Sequence, residues 1–241
     1  MNGKKVGKQV LLIKTGGTIK KITPLYEDFE NWFALYMDIH DFMQVDVFRG
    51  QTLPKPGSVA GVVVTGSAAM VSERADWSET AADWLAVAVG QGVPVLGVCY
   101  GHQLLAHALG GRVGPNPLGR QIGTVQVQLT RDGQDDRLLG HLPAAFAAQS
   151  SHLESVLEIP RGTVRLARSP RDYNFALRFA ENAWGVQFHP EFSAPVMREY
   201  IHCRSEALHQ EGLQPAQLLQ QVTDTPQARS VLPGFKALLG L

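Results

Sequence analysis

Short apolar runs alternate with longer amphipathic stretches from Gln9 to about Gly92, which is how an α/β layer protein reads. Val10-Leu11-Leu12-Ile13 and Gly61-Val62-Val63-Val64 are continuous apolar runs, and they predict strands covered on both faces, as in a parallel sheet. Between them Phe29, Trp32, Phe33, Tyr36 and Met37 recur at helical spacing within residues 27–40, and residues 45–48 predict another strand. Ala81, Trp84, Leu85 and Val89 mark a second helix, with Ser78-Glu79-Thr80 as its cap-type start. Residues 93–98 are again strand-like. They run without a spacer into a helix expected over residues 103–109, closed by Gly110-Gly111.

The period changes beyond Gly123. Val125, Val127 and Leu129 alternate with Gln126, Gln128 and Thr130, the pattern of a strand with one wet face, so antiparallel additions to the sheet are expected. Further strands are predicted over residues 163–167, 175–179 and 184–188. After Ser193 the chain turns helical, and Pro215, Pro226 and Pro233 divide this tail into short pieces. With no internal repeat, low-complexity tract or long linker, the expectation is a single domain over 1–241. Its architecture is a three-layer α/β sandwich with a mostly parallel central sheet and a helical C-terminal annex at about 194–241.

Composition narrows the function classes. A chain of 241 residues, 44% hydrophobic and 18% charged, is an ordinary globular balance and needs no disulfide or metal staple for stability. Lys+Arg and Asp+Glu both number 22, so no global field favours nucleic acid or a membrane surface as a partner. The lysines near the start, Lys4 and Lys5 among them, and the later Arg161, Arg165, Arg168, Arg171 and Arg178 then read as solvated surface. The apolar run at residues 10–13 is far shorter than a signal-peptide core or the ~20 residues of a membrane span. Only two cysteines occur, Cys99 and Cys203, far apart, which points to a reducing compartment and a cytoplasmic location.

The strongest chemical signal is Gly97-Val98-Cys99-Tyr100-Gly101 at a strand-to-helix junction, a nucleophile elbow with sulfur in place of a serine hydroxyl. Flanking glycines let the turn be sharp and keep side chains away from a substrate, while the helix N-terminus behind the sulfur favours negative charge. A nucleophile needs a base. His189 follows the strand at 184–188, and Glu191 lies two positions on, so in an extended segment the two face the same side, with Pro190 stiffening the link. Glu191 would then fix the imidazole tautomer and leave the other nitrogen aimed at Cys99. Cys203 has no such turn or acid-base partner near it in sequence and reads as packing.

Gly97-Val98-Cys99-Tyr100-Gly101-His102-Gln103 together with Gln187-Phe188-His189-Pro190-Glu191 resembles the class I glutamine amidotransferase family, over about residues 61–193. The resemblance implies a flavodoxin-like core and a Cys-His-Glu triad that hydrolyses the glutamine side-chain amide through a γ-glutamyl thioester, releasing ammonia. It makes Cys99 the nucleophile, His189 the base and then acid, and Glu191 its orienter. Tyr100 supplies a backbone N–H to the oxyanion hole, with a second donor at Gly66 or Ser67, where Val64-Thr65-Gly66-Ser67-Ala68 departs from the usual Ser-Gly-Gly-Pro. Gln103 helps hold the glutamine, and Ser151 and His152, in a Ser-His-Leu-Glu variant of the Ser-His-Gly-Asp segment, contact its α-groups. The loop variant is similar to stand-alone members like the amidotransferase half of GMP synthase, and to plant-type γ-glutamyl peptidases.

Three functions therefore stay open. One is a glutaminase that passes ammonia to a separate synthetase. The others are a peptidase acting on small γ-glutamyl compounds and a regulatory subunit whose triad is idle until a partner docks. No cofactor or metal is implied, and the chain has no Cys-x-x-Cys or His-Glu-x-x-His arrangement. Lys14-Thr15-Gly16-Gly17-Thr18-Ile19 resembles the threonine-nucleophile segment of bacterial-type asparaginases, but the second motif of that family is missing and a turn after a strand is the simpler reading.

Overall fold

The computed structural model describes residues 8–241, so Lys4 and Lys5 lie outside it. Its strands are β1 (Val10–Lys14), β2 (Met43–Asp46), β3 (Gly61–Val64), β4 (Val95–Val98), β5 (Arg112–Pro115), β6 (Gln121–Leu129), β7 (Ala145–His152), β8 (Glu154–Glu158), β9 (Val164–Arg168), β10 (Ala176–Ala180) and β11 (Ala183–Val186). The helices are α1 (Thr23–Tyr26), α2 (Phe29–Met37), α3 (Asp76–Gly90), α4 (Tyr100–Ala108), α5 (Arg131–Gln134), α6 (Ala194–Cys203), α7 (Ser205–Gln210), α8 (Pro215–Gln221), α9 (Pro226–Arg229) and α10 (Val231–Leu238).

Nine strands form one sheet in the order β2-β1-β3-β4-β11-β10-β9-β6-β7. The first five pair in parallel, and β10, β9, β6 and β7 extend the sheet antiparallel. The apolar runs are continuous because alternate residues feed two different cores. Val10, Leu12, Val63, Leu96 and Val98 point into one, with Phe33 and Met37 of α2. Leu11, Ile13, Val62, Val64 and Val95 point into the other, with Leu85 of α3 and Leu104 and Leu105 of α4. Helices thus cover both faces, giving three layers, and β5 and β8 pair as a separate ribbon. Phe235 of α10 meets Trp184 of β11 edge-on at 6.4 Å, so the last helix shares the first core.

Several boundaries differ from the sequence reading. The strand expected at residues 45–48 is β2, and it ends at Asp46, where residues 47–49 turn and Gly50 stops them at φ +79°. Helix α3 begins at Asp76 instead of at the cap-type cluster; Ser78 lies inside it, and its hydroxyl bonds Tyr100 Oη at 2.6 Å. Helix α4 begins at Tyr100, immediately after the cysteine. Pro233 sits in the first turn of α10 and divides nothing, because the N–H it lacks would have had no helical acceptor there.

Parallel pairing brings the ends of β1, β3, β4 and β11 to one edge of the sheet, the edge at which open α/β sheets bind ligands. The register of β6 on β7, with Gln121 opposite His152, brings Ser151 and His152 to a cleft at that same edge.

Candidate active site

Cys99 follows β4 and caps α4 with φ +52° and ψ −101°, a backbone conformation that costs an L-residue about 1–3 kcal/mol. Its N–H donates to Val186 O at 2.8 Å, which ties the turn to β11. The positive φ belongs to Cys99 and not to either flanking glycine. A β-carbon on Gly97 would stand 2.8 Å from the His102 nitrogen, and one on Gly101 would stand 2.7 Å from Val64 Cβ. They make room for strand and helix to approach, and the cysteine itself carries the strain.

The turn after β11 delivers His189. Its N–H donates to Gln149 O at 2.8 Å, and its ring stacks on Phe192 at 4.0 Å with planes 15° apart. Nδ1 donates to Glu191 Oε1 at 2.7 Å, and both side chains are buried. The pair meets across a turn in which Phe192 N–H reaches back to His189 O, since extended structure ends at Val186. Burial opposes the imidazolium, but the Glu191 carboxylate and the adjoining Cys99 sulfur outweigh it and raise the His189 pKa to about 10. Cys99, His189 and Glu191 are therefore brought together.

The first loop of the chain braces this arrangement. Lys14, at the end of β1, pairs with Asp28 at 2.8 Å, Asp28 caps α2, and Phe29 at the head of that helix stacks over His189 at 6.4 Å. Thr15 Oγ1 donates to Gly66 O at 3.0 Å, and Ser67 Oγ donates to Thr15 O at 2.8 Å. The asparaginase-like segment is thus a brace for the loop after β3. A β-carbon on Gly66 would stand 3.0 Å from His189 Cε1, so that loop faces the imidazole.

A cleft of about 170 Å³ opens beside the sulfur, lined by Ser67, Tyr100, Gln103, Ser151 and His152, by Arg120 and Glu154, and by Arg204, which the sequence did not single out. This is well below the ~300–1,000 Å³ of drug-sized sites. The N–H groups of Gly66, Ser67 and Tyr100 have no acceptor among the described residues. Tyr100 turns its side chain away, stacked on Trp77 at 5.6 Å, and burial pushes its phenol up to about 12. Gln103 Nε2 donates to Glu154 O at 2.7 Å and to Gln187 Oε1 at 2.9 Å, which leaves its carbonyl as the group available to the cleft. Burial lowers His152 to about 4, so its ring is neutral, and Nδ1 lies 2.8 Å from Glu154 O.

Arg120 makes two hydrogen bonds to Glu211, at 2.8 and 2.9 Å. Arg204 lies against the Tyr200 ring, 4.9 Å from its centroid, and has no carboxylate partner among the described residues. Burial lowers its pKa from the usual arginine value. Among the described residues no cluster of three or more His, Cys, Asp or Glu side chains could hold a metal ion, and no helix is long and apolar enough to cross a membrane.

The sequence profile of the family described as Glutamine amidotransferase class-I matches residues 40–203, more than half of the chain. The chain belongs to that family. A GMP synthase (glutamine-hydrolyzing) of Aeropyrum pernix is 37% identical over 158 residues, covering 66% of this chain and 28% of that protein. A GMP synthase (glutamine-hydrolyzing) subunit of Archaeoglobus fulgidus is 36% identical over 115 residues, covering 45% of this chain and 61% of its own length. The chain thus spans less than two thirds of the length of either relative. The family's fold recurs in a glutamine amidotransferase of Methylobacillus flagellatus, with TM-score 0.75 and 23% identity over 97% of this chain and 93% of that one. A glutamine amidotransferase of Thermotoga maritima has TM-score 0.69 and 22% identity over 96% of both chains.

Proposed function

We propose that this chain hydrolyses the side-chain amide of glutamine through a γ-glutamyl thioester on Cys99. The observation that carries the reading is the meeting of Cys99 with the His189–Glu191 pair beside a cleft of amino-acid size. Glu191 holds Nδ1 as a donor, so Nε2 is the nitrogen left for chemistry. The sulfur attacks the amide carbon as a thiolate, its proton held by His189. The carbonyl electron pair moves to oxygen, where the N–H of Tyr100 and that of Gly66 or Ser67 receive it; one such donor is worth about 10²–10³ in rate. The imidazolium gives its proton to the amide nitrogen, the C–N bond breaks, and ammonia leaves. Water then gives a proton to the same nitrogen as it attacks the thioester carbon. Glutamate departs and the thiolate is restored.

Gln103, Ser151 and His152 border the space where the rest of the substrate lies, and the Gln103 carbonyl suits its α-ammonium group. Support for a synthetase as the ammonia acceptor comes from the curated relatives, which are named GMP synthases. Ammonia release by the purified chain tests the reading: wild type turns over glutamine and Cys99→Ala does not. Undiminished activity in Cys99→Ala overturns it. Faster release from γ-glutamyl dipeptides than from glutamine would make the chain a γ-glutamyl peptidase. Activity that appears only with a synthetase added would make the triad conditional on docking.

A further inference from the structure

Two guanidinium groups border the cleft, and only one of them is balanced by a carboxylate. Arg120 is answered by Glu211, which meets it through two hydrogen bonds. Arg204 is not answered: it forms no side-chain hydrogen bond or ion pair with a described residue, and its Nη1 is buried without a partner. A buried donor with no partner is uncommon in folded proteins and needs a reason. Burial and the neighbouring Arg120 both act against the charge on Arg204, so an anion placed in the cleft would relieve both. The side chain is also held ready. Its guanidinium lies over Tyr200, and Tyr200 Oη is fixed at 2.8 Å by Thr18 Oγ1, from the loop that braces the active site. The same cleft presents a carboxylate, Glu154, which accepts Ser72 N–H at 3.2 Å and has no cation paired with it among the described residues. One unanswered cation and one unpaired carboxylate in a cleft of about 170 Å³ match the charges of a free amino-acid end.

We infer that Arg204 is the anchor for the substrate's α-carboxylate, and that it restricts the cleft to γ-amides carrying that group. The inference rests on the glutamine reading and adds the residue that selects the substrate. Arg204 lies one position beyond the stretch matched by the family profile, at the junction of α6 and α7. The planar fork of arginine suits a carboxylate, and hydrogen bonds between charged groups are the stronger kind.

The test compares L-glutamine with 4-aminobutanamide, which is glutamine without its α-carboxylate, in wild type, Arg204→Gln and Arg204→Lys. Arg204→Gln is expected to raise KM for glutamine about 10- to 100-fold with kcat within about threefold of wild type. Its kcat/KM for 4-aminobutanamide stays at the wild-type value, which also reports that the variant is folded. Arg204→Lys, keeping the charge but not the fork, falls between. Equal losses on both substrates, or a wild-type KM for glutamine in both variants, overturn the inference and leave glutamine hydrolysis standing. A wild-type chain that does not hydrolyse glutamine, together with a Cys99→Ala variant that does not bind it, overturns both.

Discussion

Cys99 occupies a positive-φ conformation that its neighbours enforce, and its sulfur adjoins an imidazole whose charge is maintained by Glu191. The consequence is a pH signature. The folded-state pKa of His189 is about 10, against an ordinary value of 6.5, so between these values the folded chain holds a proton that the unfolded chain releases. Its contribution is complete below about pH 6.5 and is lost as pH rises towards 10. Urea midpoints measured from pH 6.5 to 9 are expected to fall through this group, and to fall less steeply in Glu191→Gln. Identical slopes in the two proteins would show that the carboxylate does not hold the proton. The same variant loses the tautomer control of His189, and its kcat is expected to drop by about 10²–10⁴.

At the scale of elements, the elbow depends on how closely α4 packs on its neighbours. Gly101→Ala would push a β-carbon against Val64, whose strand is fixed on both sides, and overpacking of this kind costs about 1–3 kcal/mol. Urea unfolding is expected to show that loss, and ammonia release should fall with it because Tyr100 N–H belongs to the displaced turn. Strands β1 and β3 are legible in the sequence because their runs are apolar throughout and too short for a helix. Strand β7 is not legible: Gln149, Ser150 and Ser151 break the apolar pattern, and Gln149 is satisfied by tertiary partners, donating to Thr223 O at 2.7 Å. The start of α3 is obscured for a related reason, since Ser78 serves Tyr100 instead of a cap. Cys99, His189 and Glu191 lie in local motifs and are legible for that reason. Arg204 sits in a helical stretch with nothing local to mark it, and only the fold carries it to the cleft.

Across the whole molecule, we propose that the helical tail and the sheet form one domain. Phe235 is fully buried against Trp184, whose indole N–H in turn reaches Asp136 at 3.1 Å, so α10 is linked through the core to the segment before β7. Phe235→Ala is expected to cost about 3–5 kcal/mol while unfolding keeps a single transition followed equally by fluorescence and circular dichroism. Two separated transitions would mean that the tail folds independently. The most direct measurement of the central claim is intact-protein mass spectrometry of the wild-type chain, acid-quenched during turnover of glutamine. A population carrying one γ-glutamyl group is expected, mapped by peptide analysis to Cys99 and lost on treatment with hydroxylamine. Steady ammonia release with no such adduct, or with the adduct on any other residue, would contradict it.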